Sequence, residues 1–174
     1  MIPTMQALQK TRPEFGLELR DVPEPAAPAV GEVLIEVTAA GICGSDLHIY
    51  EWTPGYEFVQ PAMPVTLGHE FAGRIAALGK DVVGLSLGDR VTVMPSVTCG
   101  VCAACRVQDY DRCLTRKGIG MTRPGAFARR VLAPAINCLP LPAEVDDELA
   151  ALTEPLTVGA RAVENGEVKP GDRV

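Results

Sequence analysis

Four cysteines fall within residues 99–113, Cys99-Gly-Val-Cys102-Ala-Ala-Cys105-Arg-Val-Gln-Asp-Tyr-Asp-Arg-Cys113, in the spacing C-x2-C-x2-C-x7-C. No other feature restricts the local structure of the chain so tightly. Two residues between neighbouring cysteines let a tight turn aim both sulfurs at one point, and the loop 106–112 is long enough to return the fourth. Four thiolates at about 2.3 Å make a tetrahedral zinc site, and iron suits four thiolates as well. Two disulfides, or four unrelated thiols, are the other readings. Four Cys without a His leave no open coordination position. A metal here would therefore be structural, clipping together a lobe (residues 95–115) that has little apolar content of its own.

The choice between metal and disulfide turns on compartment. The N-terminus, Met1-Ile-Pro-Thr-Met-Gln6, has no basic segment followed by an apolar one, so no signal peptide is expected. No apolar run approaches the ~18 residues of a membrane span, so no membrane partner is expected. The expected location is a reducing cytoplasm, where clustered Cys favour metal or catalysis over disulfides. Sixteen basic against 22 acidic residues give a net charge of −6, scattered along the chain. That balance argues against nucleic acid, which needs a basic footprint.

The 174 residues suffice for one domain with a sizeable core. Strands are expected over 31–40, 73–79, 89–94 and 126–133, where apolar residues recur in short runs. Fifteen Pro and 17 Gly punctuate these runs, which makes the chain mainly β, a barrel or sandwich with many turns. A helix is expected over 143–152, acidic in its first turn, and a second over 156–163. The chain closes on Lys169-Pro-Gly-Asp-Arg-Val174, a turn followed by the first step of a strand.

A second constellation carries the reactive residue types. Cys43 opens Cys-Gly-Ser-Asp-Leu-His48, His69 and Glu70 follow Gly68, and Glu154 sits in Thr-Glu-Pro. A thiolate, an imidazole, a carboxylate and a water would make the open zinc site of a catalyst. Read singly, Cys43 could be a small core residue, His69 a satisfied core histidine and Glu70 a solvated charge.

Together, Cys-Gly-Ser-Asp-Leu-His (43–48), Gly-His-Glu-Phe-Ala-Gly (68–73), Gly-Asp-Arg-Val (88–91) and the four-Cys lobe resemble the zinc-dependent medium-chain alcohol dehydrogenases, in order and rough spacing. Ile42–Trp52 and Arg123-Pro-Gly-Ala-Phe127 look most like threonine dehydrogenases, Thr153-Glu-Pro-Leu-Thr157 more like sorbitol and other polyol dehydrogenases. The resemblance implies a GroES-like, partly open barrel with short helices, a catalytic domain over 1–155, and a helix and linker over 156–174 leading to a cofactor domain. It implies two zinc ions per chain, one of them catalytic. Cys43 and His69 resemble the first two catalytic ligands and Glu70 the carboxylate ligand of the polyol branch. Glu154 falls where ethanol-type enzymes place a later Cys, as a ligand or as a partner of the metal-bound water. Asp46 resembles the carboxylate that orients the ligand His, and Ser45 and His48 the proton relay. The activity implied is oxidation of a secondary alcohol, polyol or 3-hydroxy amino acid with NAD or NADP, in a full-length homodimer or homotetramer.

The family's dinucleotide fingerprint G-x-G-x-x-G does not occur. Its nearest approach, Gly118-Ile-Gly-Met-Thr-Arg123, fails at the last position. No cofactor-binding residue is therefore assigned, no Rossmann domain is expected in this chain, and the chain alone is expected to be inactive. A non-catalytic zinc-binding domain and a GroES-like interaction module are the alternative functions.

Overall fold

The computed structural model describes residues 3–173. In chain order the elements are β1 (Thr4–Lys10), β2 (Glu18–Pro23), β3 (Glu32–Ala40), α1 (Gly44–Glu51), β4 (Val65–Thr66), β5 (Phe71–Leu78), β6 (Arg90–Val93), β7 (Ser96–Val97), α2 (Ala103–Arg106), β8 (Lys117–Gly118), β9 (Arg130–Pro134), β10 (Cys138–Pro140), α3 (Asp147–Ala151) and α4 (Thr153–Asn165). Five strands make an antiparallel sheet in the order β10-β6-β5-β3-β9. A second sheet runs β2-β1-β4, and a two-stranded ribbon, β7-β8, stands at the base of the cysteine lobe. The chain is mainly β and the sheets do not close into a barrel, as the partly open reading expects.

The larger core cluster joins the inner faces of the five-stranded sheet through Val33, Ile35, Phe71, Ile75, Val91 and Val131. A smaller one decides where the functional residues lie. It packs Ile49 of α1, Val59, Val65 of β4 and Leu67 together, with Met121 and Phe127 against them. Ile49, Val59 and Leu67 are wholly buried. Full burial of a side chain of this size contributes about 1.5–3 kcal/mol, so α1 is fixed against the β4–β5 connection by packing rather than by helix propensity.

Cys43 is the N-cap of α1, and Asp46 Oδ2 accepts a hydrogen bond from the Cys43 amide at 3.0 Å. The acidic third residue satisfies one orphan donor and suits the positive end of the helix. Trp52 ends the helix in a left-handed conformation (φ 58°).

The strand expected over 126–133 forms only from Arg130. The amides of Gly125, Ala126 and Phe127 instead donate to the carbonyls of Thr66, Gly68 and Leu67 at 2.8–2.9 Å. Those residues buttress the β4–β5 connection and leave the ladder to β9. The helix expected over 143–152 is shorter and runs only from Asp147 to Ala151, because Asp146 caps it by accepting from the Leu149 amide. The second helix starts earlier than expected, at Thr153, which puts Glu154 in its first turn. The turn at 169–172 forms, with the Asp172 amide donating to the Lys169 carbonyl at 3.0 Å. The first strand step expected at Arg173-Val174 is not seen at Arg173, and Val174 lies outside the described residues.

Arg90 of β6 holds the α3 region to the sheet. Its Nε donates to Asp147 Oδ1 at 2.8 Å and its Nη2 to the Val145 carbonyl. The bond from Arg90 keeps the Asp147 carboxyl below the usual carboxylate range. A depressed carboxylate pKa stabilises the fold above the unfolded value near 3.9, and that contribution is lost as pH falls through the folded one. Asp147→Asn is therefore expected to lower the urea midpoint at pH 7, and the gap to the unsubstituted chain should narrow by pH 3. A gap of equal size at both pH values would contradict the assignment.

Candidate metal centres

Two groups of side chains bring ligand atoms within 4.8 Å of one another: Cys99, Cys102, Cys105 and Cys113, and Cys43, His69 and Glu70. Both are the sets expected from the sequence.

In the lobe all four cysteines are free. Cys99 Sγ lies 3.9 Å from Cys105 Sγ and 3.7 Å from Cys113 Sγ. A disulfide needs about 2.05 Å, so neither pair is bonded. A tetrahedron with metal–sulfur bonds of ~2.3 Å has edges of ~3.8 Å, and the observed separations match it. Cys102 caps α2, Cys105 lies within it, and Cys113 ends a short 3-10 turn, Tyr110–Arg112. The amides of Val101 and Cys102 pull the Cys99 thiol down to about 6, and those of Cys105 and Leu114 lower Cys102. Burial pushes Cys105 up to about 11. Backbone donors thus favour thiolates at two corners, while a buried corner needs a cation to ionise. The donor chemistry and the spacing both fit a divalent soft metal. Asn137, which the sequence gave no reason to single out, is buried and donates to the carbonyls of Met94 and Ser96 at 2.8 and 2.9 Å, fixing the entry to the lobe.

The second centre is assembled from two segments. The N-cap of α1 supplies Cys43, and the connection from β4 to β5 supplies His69 and Glu70, both buried. Adjacent residues in a regular strand face opposite sides, so sharing one ion requires a bend. Gly68 provides it, with φ at 92°, and β5 begins only at Phe71. The bend is close-packed: a Cβ on Gly68 would stand 2.5 Å from the Phe127 ring, and one on Gly125 would stand 2.2 Å from the Gly68 carbonyl oxygen. Gly41 makes room for the carboxylate, since a Cβ there would stand 2.5 Å from Glu70 Oε2.

His69 Nδ1 lies 3.7 Å from Asp46 Oδ1, and both atoms are buried without a hydrogen-bond partner. Leaving such groups unpaired costs about 1–3 kcal/mol each. The pairing they approach is the carboxylate contact that orients a metal-ligating histidine, with Nε2 left for the metal. Burial presses the imidazole toward neutrality, but Asp46 and Cys43 outweigh it and hold its pKa at about 9. A thiol, an imidazole and a carboxylate converging on one point offer the donor atoms of a zinc site, so this set also fits a metal. Ser45 Oγ is 3.4 Å from His69 Nε2.

His48 lies on the exposed side of α1, its ring 5.4 Å from that of Tyr56. No hydrogen bond joins it to Ser45 among the described residues. Glu154 stands outside the three-ligand set but lines, with His69, a cleft of about 410 Å³ bordered by Phe58, Ser96, Met121 and Thr122. Burial raises the Glu154 pKa, with Glu70 and Asp46 adding to the rise and His69 opposing it. Cys138 is buried and its thiol is pushed up to about 12, as suits an inert core residue. No helix among the described residues is long and apolar enough to cross a membrane.

The fold and the two donor sets define a GroES-like domain of dehydrogenase type. Residues 29–143 match the model of the alcohol dehydrogenase GroES-like domain. The chain is 41% identical over 153 residues to an L-threonine 3-dehydrogenase of Aeromonas hydrophila, covering 87% of this chain and 44% of that protein. It is 44% identical over 172 residues to a sorbitol dehydrogenase of Halalkalibacterium halodurans, covering 98% of this chain and 48% of that one. Its structure superimposes with a TM-score of 0.82 on a short chain alcohol dehydrogenase of Escherichia coli CFT073 in complex with NADH, at 34% identity, covering 94% of this chain and 46% of the other. The chain belongs to the zinc-dependent medium-chain alcohol dehydrogenase family, of which it carries the GroES-like domain. It spans about half the length of the curated relatives it matches.

Proposed function

We propose that the chain is the metal- and alcohol-binding catalytic part of an NAD(P)-linked dehydrogenase that oxidises a secondary alcohol, polyol or 3-hydroxy amino acid to the ketone. Residues 1–155 form the catalytic domain, with the structural lobe at 95–115, and residues 156–174 lead toward the cofactor-binding part. The observation that carries this reading is the convergence of a thiol, an imidazole and a carboxylate, from Cys43, His69 and Glu70, within 4.8 Å beside the cleft that His69 lines. Cys43, His69 and Glu70 would hold the catalytic zinc and the four lobe cysteines the structural one.

When bound, the zinc supplies a Lewis acid that lowers the pKa of a substrate hydroxyl, and the nicotinamide supplies the hydride acceptor. The chain's own residues do the rest. Asp46, with Oδ1 3.7 Å from His69 Nδ1, would orient the ring from that side. Ser45, 3.4 Å from His69 Nε2, would accept the hydroxyl proton and pass its own outward. His48, exposed on the same helix, would receive the proton from Ser45 and release it to solvent. Phe58, Ile119 and Met121 give the cleft an apolar wall that excludes water from the reacting carbon. Glu154, half-buried and lining the cleft but outside the three-ligand set, would act as a hydrogen-bond partner of the substrate hydroxyl rather than as a ligand.

Glu70 and Glu154 separate experimentally. Glu70→Ala is expected to weaken zinc at this centre roughly 10-fold or more, a loss that even groups outside the ligand set can cause. Glu154→Ala is expected to keep both metals. A competition titration with a chromophoric chelator reads both, and metal loss on Glu154→Ala with retention on Glu70→Ala would reverse the assignment.

A further inference from the structure

Lys10, the last residue of β1, has no solvent exposure. Burying a charge is costly unless its hydrogen bonds are made inside. The Lys10 ammonium donates to the carbonyls of Glu14, Gly16 (3.1 Å) and Tyr50 (3.2 Å), which accounts for all three of its protons. Nζ also lies 5.3 Å from the centroid of the Trp52 ring, within cation–π range. Burial lowers its pKa, with Glu14 acting the other way.

One of these contacts, together with the backbone of β1, ties Lys10 to the two segments that carry Cys43, His69 and Glu70. The Tyr50 carbonyl belongs to the last turn of α1, where the negative end of the helix favours a cation. The opposite end of that helix carries Cys43 as its cap and Asp46 in its first turn. The Lys10 backbone pairs with Val65 of β4, and the amide of Leu67, two residues before His69, donates to the Leu8 carbonyl at 3.2 Å. One residue thus joins the segment bearing Cys43 to the segment bearing His69 and Glu70. An eight-residue helix is ~12 Å long and rigid, so a shift at its last turn is carried to its cap. Metal sites tolerate about 0.2 Å in ligand distance.

We propose that Lys10 is a positioning residue for the Cys43–His69–Glu70 centre, setting the separation of the two ligand-bearing segments by clamping the C-terminal end of α1 to β1. This rests on the reading of those three residues as a metal site. The lobe cysteines serve as an internal reference, because Lys10 makes no contact with them.

The test is a Co²⁺ titration of the unsubstituted chain and of Lys10→Met and Lys10→Gln, following the visible absorption of each centre. Lys10→Met is expected to weaken Co²⁺ at the mixed-ligand centre about 10-fold or more and to shift its d–d bands. The four-thiolate centre should stay unchanged. Lys10→Gln, whose shorter amide keeps two N–H donors but no charge, should fall between. If Lys10→Met does not fold, Lys10→Gln decides alone. Equal weakening at both centres would mean that Lys10 only stabilises the fold and would overturn the proposal, as would an unchanged mixed centre. An unsubstituted chain that binds only one Co²⁺ would overturn the functional reading itself, before any substitution is made.

Discussion

Cys102→Ser is expected to release one metal ion and to unfold the lobe between β7 and β8. The lobe has almost nothing else to fold on. Its secondary structure amounts to the four residues of α2 and one 3-10 turn. Its large apolar side chains face solvent, Val101 at 68% and Leu114 at 87% exposure, while two of the four cysteines, Cys105 and Cys113, are buried. With no apolar core, ordering the loop has to be offset by metal binding, which in small zinc domains contributes roughly 10–16 kcal/mol. Serine at one corner weakens the site and leaves the buried thiols without their cation. Limited proteolysis should cut within residues 95–115 of the variant and spare the unsubstituted protein. A variant that keeps both metals and resists cleavage would show that the lobe folds without the site.

His69→Ala is expected to empty the other centre and leave the lobe site loaded. The imidazole is the cation-capable group beside Cys43 and the buried Asp46 and Glu70, so its removal costs a ligand and leaves two buried carboxylates without that partner. Where the chain is joined to a nicotinamide-binding part, as the proposed function requires, alcohol oxidation should disappear at every pH. His48→Ala should behave otherwise, keeping its metal and losing turnover mostly near neutrality, with the deficit shrinking as hydroxide takes over the proton. An His69→Ala enzyme that keeps its metal and recovers at high pH would assign His69 to proton transfer instead of ligation.

Much of this was legible in the sequence because spacing alone encodes it. The lobe site is local, and C-x2-C-x2-C-x7-C announces four sulfurs at one point. The second centre is not local, since Cys43 and His69 are brought together by packing of α1 against β4; residue type alone made them candidates with bland alternatives open, and the resemblance gave each its role. The chain bend that lets His69 and Glu70 share a site was legible as a requirement but not as a fact, because it depends on Phe127 and Gly125 closing over Gly68. Helix α1 itself escaped notice. Its Ser-Asp-Leu-His-Ile-Tyr-Glu run buries only Asp46 and Ile49, too few positions to print a helical period. The strand expected from Ala126 failed for a related reason, since residues 125–127 spend their amides on the β4–β5 connection. Lys10 gave no sequence signal, as a lysine closing a short strand reads as solvated. The substrate stays coarse because threonine-type and polyol-type segments occur in one chain.

Metal content per chain tests the central claim most directly. The protein should be purified without chelators and its zinc measured against its concentration from amino-acid analysis. Two zinc per chain is the expected result, falling to one in both Cys102→Ser and His69→Ala. One zinc in the unsubstituted protein, unchanged by His69→Ala, would leave only the lobe site and favour a non-catalytic zinc domain. No zinc at all would contradict both centres and favour an interaction module.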